Sequence, residues 1–210
     1  MKNLNYNELL AILSYELDKN KFEKRFFIAL AGPPACGKST ISEKLNNDLN
    51  IKGFSSGILQ MDGFHFDDSI LLSKNLLSKK GAPETFDVMG LKNFLERLNN
   101  EEEVVVPVFD RSLELSRASA VVISKKIRVI IVEGNYLLLS SYPWSLLKDY
   151  FNLSIMINCN EKILEKRLIE RWKGFGFSEQ EIDQKIYSND LPNALNVVKN
   201  SIKPDFLLDN

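Results

Sequence analysis

Residues Gly32-Pro33-Pro34-Ala35-Cys36-Gly37-Lys38-Ser39 fit the pattern G-x-x-x-x-G-K-[ST], and the flanking segments restrict what this stretch can fold into. An apolar run over residues 26–30 reads as a buried strand, and residues 40–45 read as the start of a helix. Between a strand and a helix, Gly32 and Gly37 let the backbone curl so that successive N–H groups converge on phosphate oxygens. The helix N-terminus adds partial positive charge, Lys38 can reach the outer phosphates, and the Ser39 hydroxyl can hold Mg²⁺. The expected nucleotide contacts are therefore Gly32, Pro33, Pro34, Ala35, Cys36, Gly37, Lys38, Ser39 and Thr40, with a nucleoside triphosphate and Mg²⁺ as the implied ligands.

The rest of the chain alternates strand and helix signals. Residues 7–18 predict an amphipathic helix capped by Asn7, with Leu10, Leu13 and Leu17 on one face. Residues 57–62 read as a short strand ending in Asp62, and Asp87 opens a helix over 88–99. Residues 104–109 form a strand that Pro107 makes irregular or places at an edge. Residues 120–123 give a weaker strand, whereas 127–133 and 153–157 are strong buried ones. Asn160 caps a helix over 161–173, Ser178 with Glu181 forms a capping box, and 206–208 end the set. This pattern predicts an α/β, three-layer P-loop NTPase fold with a mainly parallel central sheet flanked by helices, occupying residues 1–210 as one domain. Segment 1–20 is its N-terminal helix and roughly 160–190 a small helical lid.

In parallel sheets ligands bind at the carboxyl ends of the strands. The phosphate loop, Asp62 and Glu133 should therefore share one cleft. Two acids at strand ends can organise Mg²⁺ and orient or deprotonate an attacking oxygen, although capping a helix is the common fate of such a residue. Arg167 and Arg171 lie four apart on one helix face, beside a stripe of Leu164, Leu168 and Trp172. Gly174 and Gly176 follow. Cations so placed can close over phosphates, or can simply be solvated at a helix C-terminus. His65, the one histidine, is either a structural hydrogen-bonder or an acceptor contact.

A formal net charge of −1 and no basic stripe interleaved with aromatics argue against nucleic acid as a partner. The two cysteines, Cys36 and Cys159, make neither a metal spacing nor a disulfide framework. Residues 1–6 are too polar to begin a secretory signal, and no apolar run reaches membrane-spanning length. A cytoplasmic, membrane-free location is expected.

Several segments together resemble the phosphoribulokinase/uridine kinase family, in particular its pantothenate-kinase-like, uridine-kinase-like and fructose-kinase-like members. They are residues 61–66, 80–87, 107–110 and 132–138, with the phosphate loop and the Arg167/Arg171 helix, so the likeness runs over roughly 25 to 190. The resemblance implies a kinase that moves the ATP γ-phosphate to a hydroxyl of a small metabolite: a nucleoside such as uridine, a sugar such as fructose, or a pantothenate-like alcohol. It implies Asp62 as the general base, Lys38 and Ser39 on phosphate and metal, and Glu133 as the second metal-side acid. Arg167 and Arg171 become the triphosphate clamp. Lys80, Phe86, Asp110 and Arg111 border the acceptor pocket, where His65 and Arg117 can join them. Several pantothenate kinases of the family place a histidine near the end of the 107–110 strand, where this chain has Asp110-Arg111. A homodimer is implied by analogy. The competing readings are a P-loop NTPase switch, for which no N-K-x-D base-reading motif is present, and a nucleotide-binding regulator without an alcohol acceptor.

Overall fold

The computed structural model describes residues 3–19 and 24–210. The start of the polar 1–6 stretch and the end of the 1–20 segment lie outside the described residues. Six strands form one sheet: β1 (Asn3–Leu4), β2 (Phe26–Ala31), β3 (Ser56–Gln60), β6 (Val129–Gly134), β7 (Leu153–Asn158) and β8 (Phe206–Asp209). Their order is β1-β8-β7-β2-β6-β3, and every pairing is parallel. Separately, β4 (Glu103–Asp110) and β5 (Leu115–Ser124) make an antiparallel hairpin whose register shifts between Val106 and Val108, where Pro107 cannot donate to the ladder.

The phosphate-loop strand β2 is buried along its whole length, and its alternate residues serve two cores. Phe27, Ala29 and Ala31 join a cluster that includes Leu91 and Leu95 of α4 (Val88–Asn100) and Val104 and Val106 of β4. Ile28 and Leu30 join another with Leu9 and Leu13 of α1 (Tyr6–Lys19) and Leu45 and Leu49 of α2 (Lys38–Ile51). An apolar run with a side-chain period of two must be covered on both faces, and this produces three layers.

Most boundaries follow from local chemistry. Asp87 accepts from Gly90 N at the start of α4, and Asn160 accepts from Lys162 N at the start of α5 (Glu161–Gly174). Ser178 and Glu181 form the full capping box of α6 (Glu179–Lys185). The start of α1 differs from expectation. Asn5, not Asn7, accepts from the backbone N–H groups of Asn7 and Glu8, and the helix buries Leu9 with Leu13 and Leu17 while Leu10 is only half-buried.

After α6 the helix widens into a π-helical turn, Ile186–Asp190, before α7 (Leu191–Asn200). A third, smaller cluster of Leu168, Ile182 and Ile186, with Trp172 and Phe177 against it, gives α5, α6 and the π turn an apolar core of their own. Among the described residues no helix is long and apolar enough to cross a membrane.

Candidate active site

The loop between β2 and α2 turns on Ala35 (φ 60) and Gly37 (φ 94), both left-handed. Gly37 immediately precedes α2, so the first N–H groups of that helix open towards the loop. Lys38 is buried and its Nζ donates to Pro33 O at 2.8 Å, spanning the loop from within. Gly32 and Pro33 are buried, whereas Ser39 and Thr40 face outward. Cys36 is fully buried, and a Cβ on Gly32 would meet its Sγ at 2.7 Å. Burial pushes the Cys36 thiol up, so it packs as an inert small group.

Strand β3 stops at Gln60, and Asp62 sits in a single 3₁₀ turn, Met61–Phe64, two residues beyond the strand end. Gly63 lets that turn touch the hairpin: a Cβ there would lie 2.8 Å from Pro107 O and 2.9 Å from its carbonyl carbon. This approach brings Arg111, just beyond β4, onto Asp62, with Arg111 Nη2 donating to Asp62 Oδ2 at 2.8 Å. A second pair, Arg117 Nε to Asp110 Oδ2 at 3.1 Å, lies on the same hairpin.

Glu133 belongs to β6 itself. Its carboxyl is buried, and Ser39 Oγ donates to Glu133 Oε2 at 3.4 Å. Burial pushes Glu133 up to about 7, with Asp62 adding to the rise and Lys38 opposing it. A buried acid whose charge is incompletely compensated, beside a hydroxyl, is a fitting pair of hard oxygen donors for Mg²⁺. Among the described residues no group of three or more His, Cys, Asp or Glu could hold a metal.

These residues surround one cavity of about 390 Å³, lined by Ser39, Glu133, Asp62, Asp110, Arg111 and Arg117. Glu43, Gln60 and Phe109 also line it and escaped the sequence reading. The helical spacing of Glu43 to Ser39 and the position of Gln60 two residues before Asp62 were the available signals.

His65, Phe86 and Lys80 are in the packed wall instead. His65 stacks on Phe86 with centroids 3.9 Å apart and on Phe109 at 4.8 Å, and its Nδ1 is 3.0 Å from Asp62 O. Burial lowers its pKa, which keeps the ring neutral near pH 7. Phe86 is buried among Tyr136 and Trp144. Lys80 Nζ donates to Asp68 Oδ1 and to Glu114 O, at 2.7 and 2.8 Å.

The two arginines of α5 have different surroundings. Arg167 Nη1 lies 3.4 Å from Ala35 O of the phosphate loop. Arg171, one turn on, lies in the fields of Arg111, Asp190 and Asp62, and burial lowers its pKa. Gly174 and Gly176 form the exposed turn into α6, with nothing within 4 Å of a Cβ on either, so they connect the two helices at their far end.

A glycine phosphate loop at the carboxyl end of a parallel sheet, with an acid-lined cavity beside it and an arginine helix against it, defines a P-loop kinase. Residues 27–205 match the phosphoribulokinase / uridine kinase family, and the chain belongs to it. It is 33% identical over 191 residues to the Escherichia coli protein "Uncharacterized protein YggC", covering 89% of this chain and 78% of that one. It is 30% identical over 159 residues to the pantothenate kinase of Streptococcus mutans, covering 74% of this chain but only 52% of the relative. Among solved structures, the "putative fructose transport system kinase from Silicibacter sp. TM1040" superposes with a TM-score of 0.89 at 34% identity, over 95% of this chain and 98% of that one.

Proposed function

We propose that the protein transfers the terminal phosphate of ATP to a hydroxyl of a small polyol of the sugar class. The observation carrying this reading is that Asp62 lines the same cavity as Ser39 and Glu133, beside Lys38, so an acceptor held there would meet the end of a nucleotide held by the loop. The cavity wall supports a polyol. Carboxylates and guanidiniums of Asp62, Asp110, Arg111 and Arg117 offer both acceptors and forked donors for neighbouring hydroxyls, and Phe109 offers an apolar face. The 34% identical structure described as a "putative fructose transport system kinase" points the same way.

In this reading Asp62 Oδ1 takes the proton of the attacking hydroxyl while Arg111 fixes the carboxylate through Oδ2. Lys38 and the backbone N–H groups of residues 35–40, which follow the two prolines of the loop, hold the phosphates. Arg167 and Arg171 stabilise the charge that spreads over the transferred group. Ser39 and Glu133 would hold Mg²⁺, which when bound neutralises phosphate charge. The test is to incubate the protein with Mg²⁺·ATP and a panel of sugars, polyols, nucleosides and pantothenate, measuring ADP. ADP release that depends on a sugar or polyol supports the assignment. Release that depends on a nucleoside or pantothenate replaces the polyol as acceptor, and release indifferent to any alcohol overturns phosphotransfer in favour of NTP hydrolysis.

A further inference from the structure

The segment Asn189-Asp190-Leu191-Pro192-Asn193 matches no catalytic motif, yet it lies where three parts of the molecule meet. Pro192, in the first turn of α7, has no N–H and its ring would press on the carbonyl four residues earlier in an unbroken α-helix. The helix from α6 into α7 is accordingly widened into the π turn over Ile186–Asp190, a geometry that recurs at functional sites. Two adjacent side chains at the end of this turn reach separate partners. Asn189 Nδ2 donates to Lys80 O at 3.0 Å, and its own Oδ1 accepts from Asn193 Nδ2 at 3.0 Å, which sets the orientation of the amide. Asp190 Oδ2 accepts from Trp172 Nε1 of α5 at 2.7 Å.

Lys80 opens the loop over residues 80–85, which resembles the family's acceptor border. The next carbonyl of that loop, Gly81 O, accepts from the buried Tyr136 OH at 2.6 Å. Thr85 O accepts from Phe66 N, which ties the loop's other end to the segment just after Asp62. Trp172, for its part, follows Arg171 directly and packs in the small cluster that α5 shares with the π turn. One short segment thus holds the acceptor loop with one side chain and the arginine helix with the next.

We propose that Asn189 and Asp190 are positioning residues that couple the arginine helix to the acceptor loop, so that nucleotide binding orders the loop before an acceptor arrives. A nucleotide drawing Arg167 and Arg171 onto its phosphates pulls on Trp172 and hence on Asp190. The same turn then fixes Lys80 through Asn189. The inference rests on the reading of residues 80–85 as the acceptor border, but its test needs no acceptor.

The experiment is hydrogen exchange followed by mass spectrometry, with and without Mg²⁺ and the β,γ-imido analogue of ATP. In the wild type, exchange should slow in residues 32–40, which report nucleotide binding directly, and also in residues 80–85. The expected slowing in 80–85 is at least about fivefold, the low end of coupling between sites. Asn189→Ala should keep the slowing in 32–40 and lose it in 80–85. Asp190→Ala should do the same, whereas Asp190→Asn, whose carboxamide oxygen can still accept from Trp172, should restore it. Rescue by the amide separates the tether from a general loss of stability or of charge. Slowing confined to 32–40 in the wild type overturns the coupling, as does unchanged slowing in 80–85 in both alanine variants. No slowing in either segment of the wild type overturns the nucleotide-site reading and the coupling with it, while failure of the acceptor reading alone would appear only in the phosphotransfer panel.

Discussion

Asp62 and Arg111 show how far individual side chains decide the chemistry. The carboxylate is reached by the guanidinium through Oδ2, and the pair exists only because the 3₁₀ turn and the end of β4 come together. In Asp62→Asn the shape and a hydrogen-bonding oxygen remain, but the group can no longer take a proton. We expect kcat to fall by about 10²–10⁴, the usual contribution of a positioned base, with Mg²⁺·ATP affinity little changed. Steady-state kinetics with the acceptor identified by the panel, beside nucleotide titration, checks this; near-normal kcat would remove Asp62 as the base. Arg111→Lys keeps a charge without the planar fork and should raise the acceptor KM more than it lowers kcat. Sequence made the phosphate loop legible at this scale because its function resides in contiguous residues. The surroundings of Phe86 were not legible in the same way, because a resemblance over residues 80–87 does not say which way its ring faces, and here it packs on His65, Tyr136 and Trp144.

At the scale of elements, helix starts were readable wherever a capping side chain acts on its own next turn, as at Asp87, Asn160 and Ser178. Of the hairpin, β4 was readable at 104–109 but its partner was not: only a weak strand over residues 120–123 was visible, because much of β5 is solvent-exposed and shows little alternation, so its full length comes from pairing with β4. The π turn was equally hidden, since its widening depends on a proline acting within a continued helix. The hairpin matters because it carries Asp110, Arg111 and Arg117, and its seating depends on Gly63. A methyl group at 63 meets backbone of Pro107 and Val108, which cannot rotate away. Gly63→Ala should therefore cost about 1–3 kcal/mol, typical of overpacking. It should also separate Arg111 from Asp62. Urea denaturation gives the first, and the acceptor KM gives the second. A variant with wild-type stability and kinetics would show that the turn can slide past the hairpin.

Across the whole molecule, the parallel sheet explains why residues far apart in sequence meet, since the loop after β2, the turn after β3 and Glu133 of β6 all lie at one sheet end. That convergence was predictable from the rule that ligands bind at the carboxyl ends of parallel strands; Phe109 was not, because it arrives on a hairpin whose placement is tertiary. The convergence also has a thermodynamic cost. Glu133 sits at about 7 in the fold against an ordinary value of 4.5. Between those values the folded chain holds a proton that the unfolded chain has released, so stability falls as pH rises through the window and levels off above it. The folded acid thus works against stability at neutral pH by up to about 3 kcal/mol. Glu133→Gln removes the titration while leaving the other carboxylates in place. The difference in Tm between variant and wild type should accordingly grow in the variant's favour from pH 4.5 to 7, by roughly 6–12 °C for a chain of this size. Saturating Mg²⁺·ATP should shrink that difference, because a cation at Ser39 and Glu133 favours the ionised acid that glutamine cannot supply. Thermal unfolding of both proteins at several pH values, with and without Mg²⁺·ATP, measures each part. A pH-independent difference would mean that Glu133 is already compensated within the fold, and a difference indifferent to Mg²⁺·ATP would place the cation elsewhere.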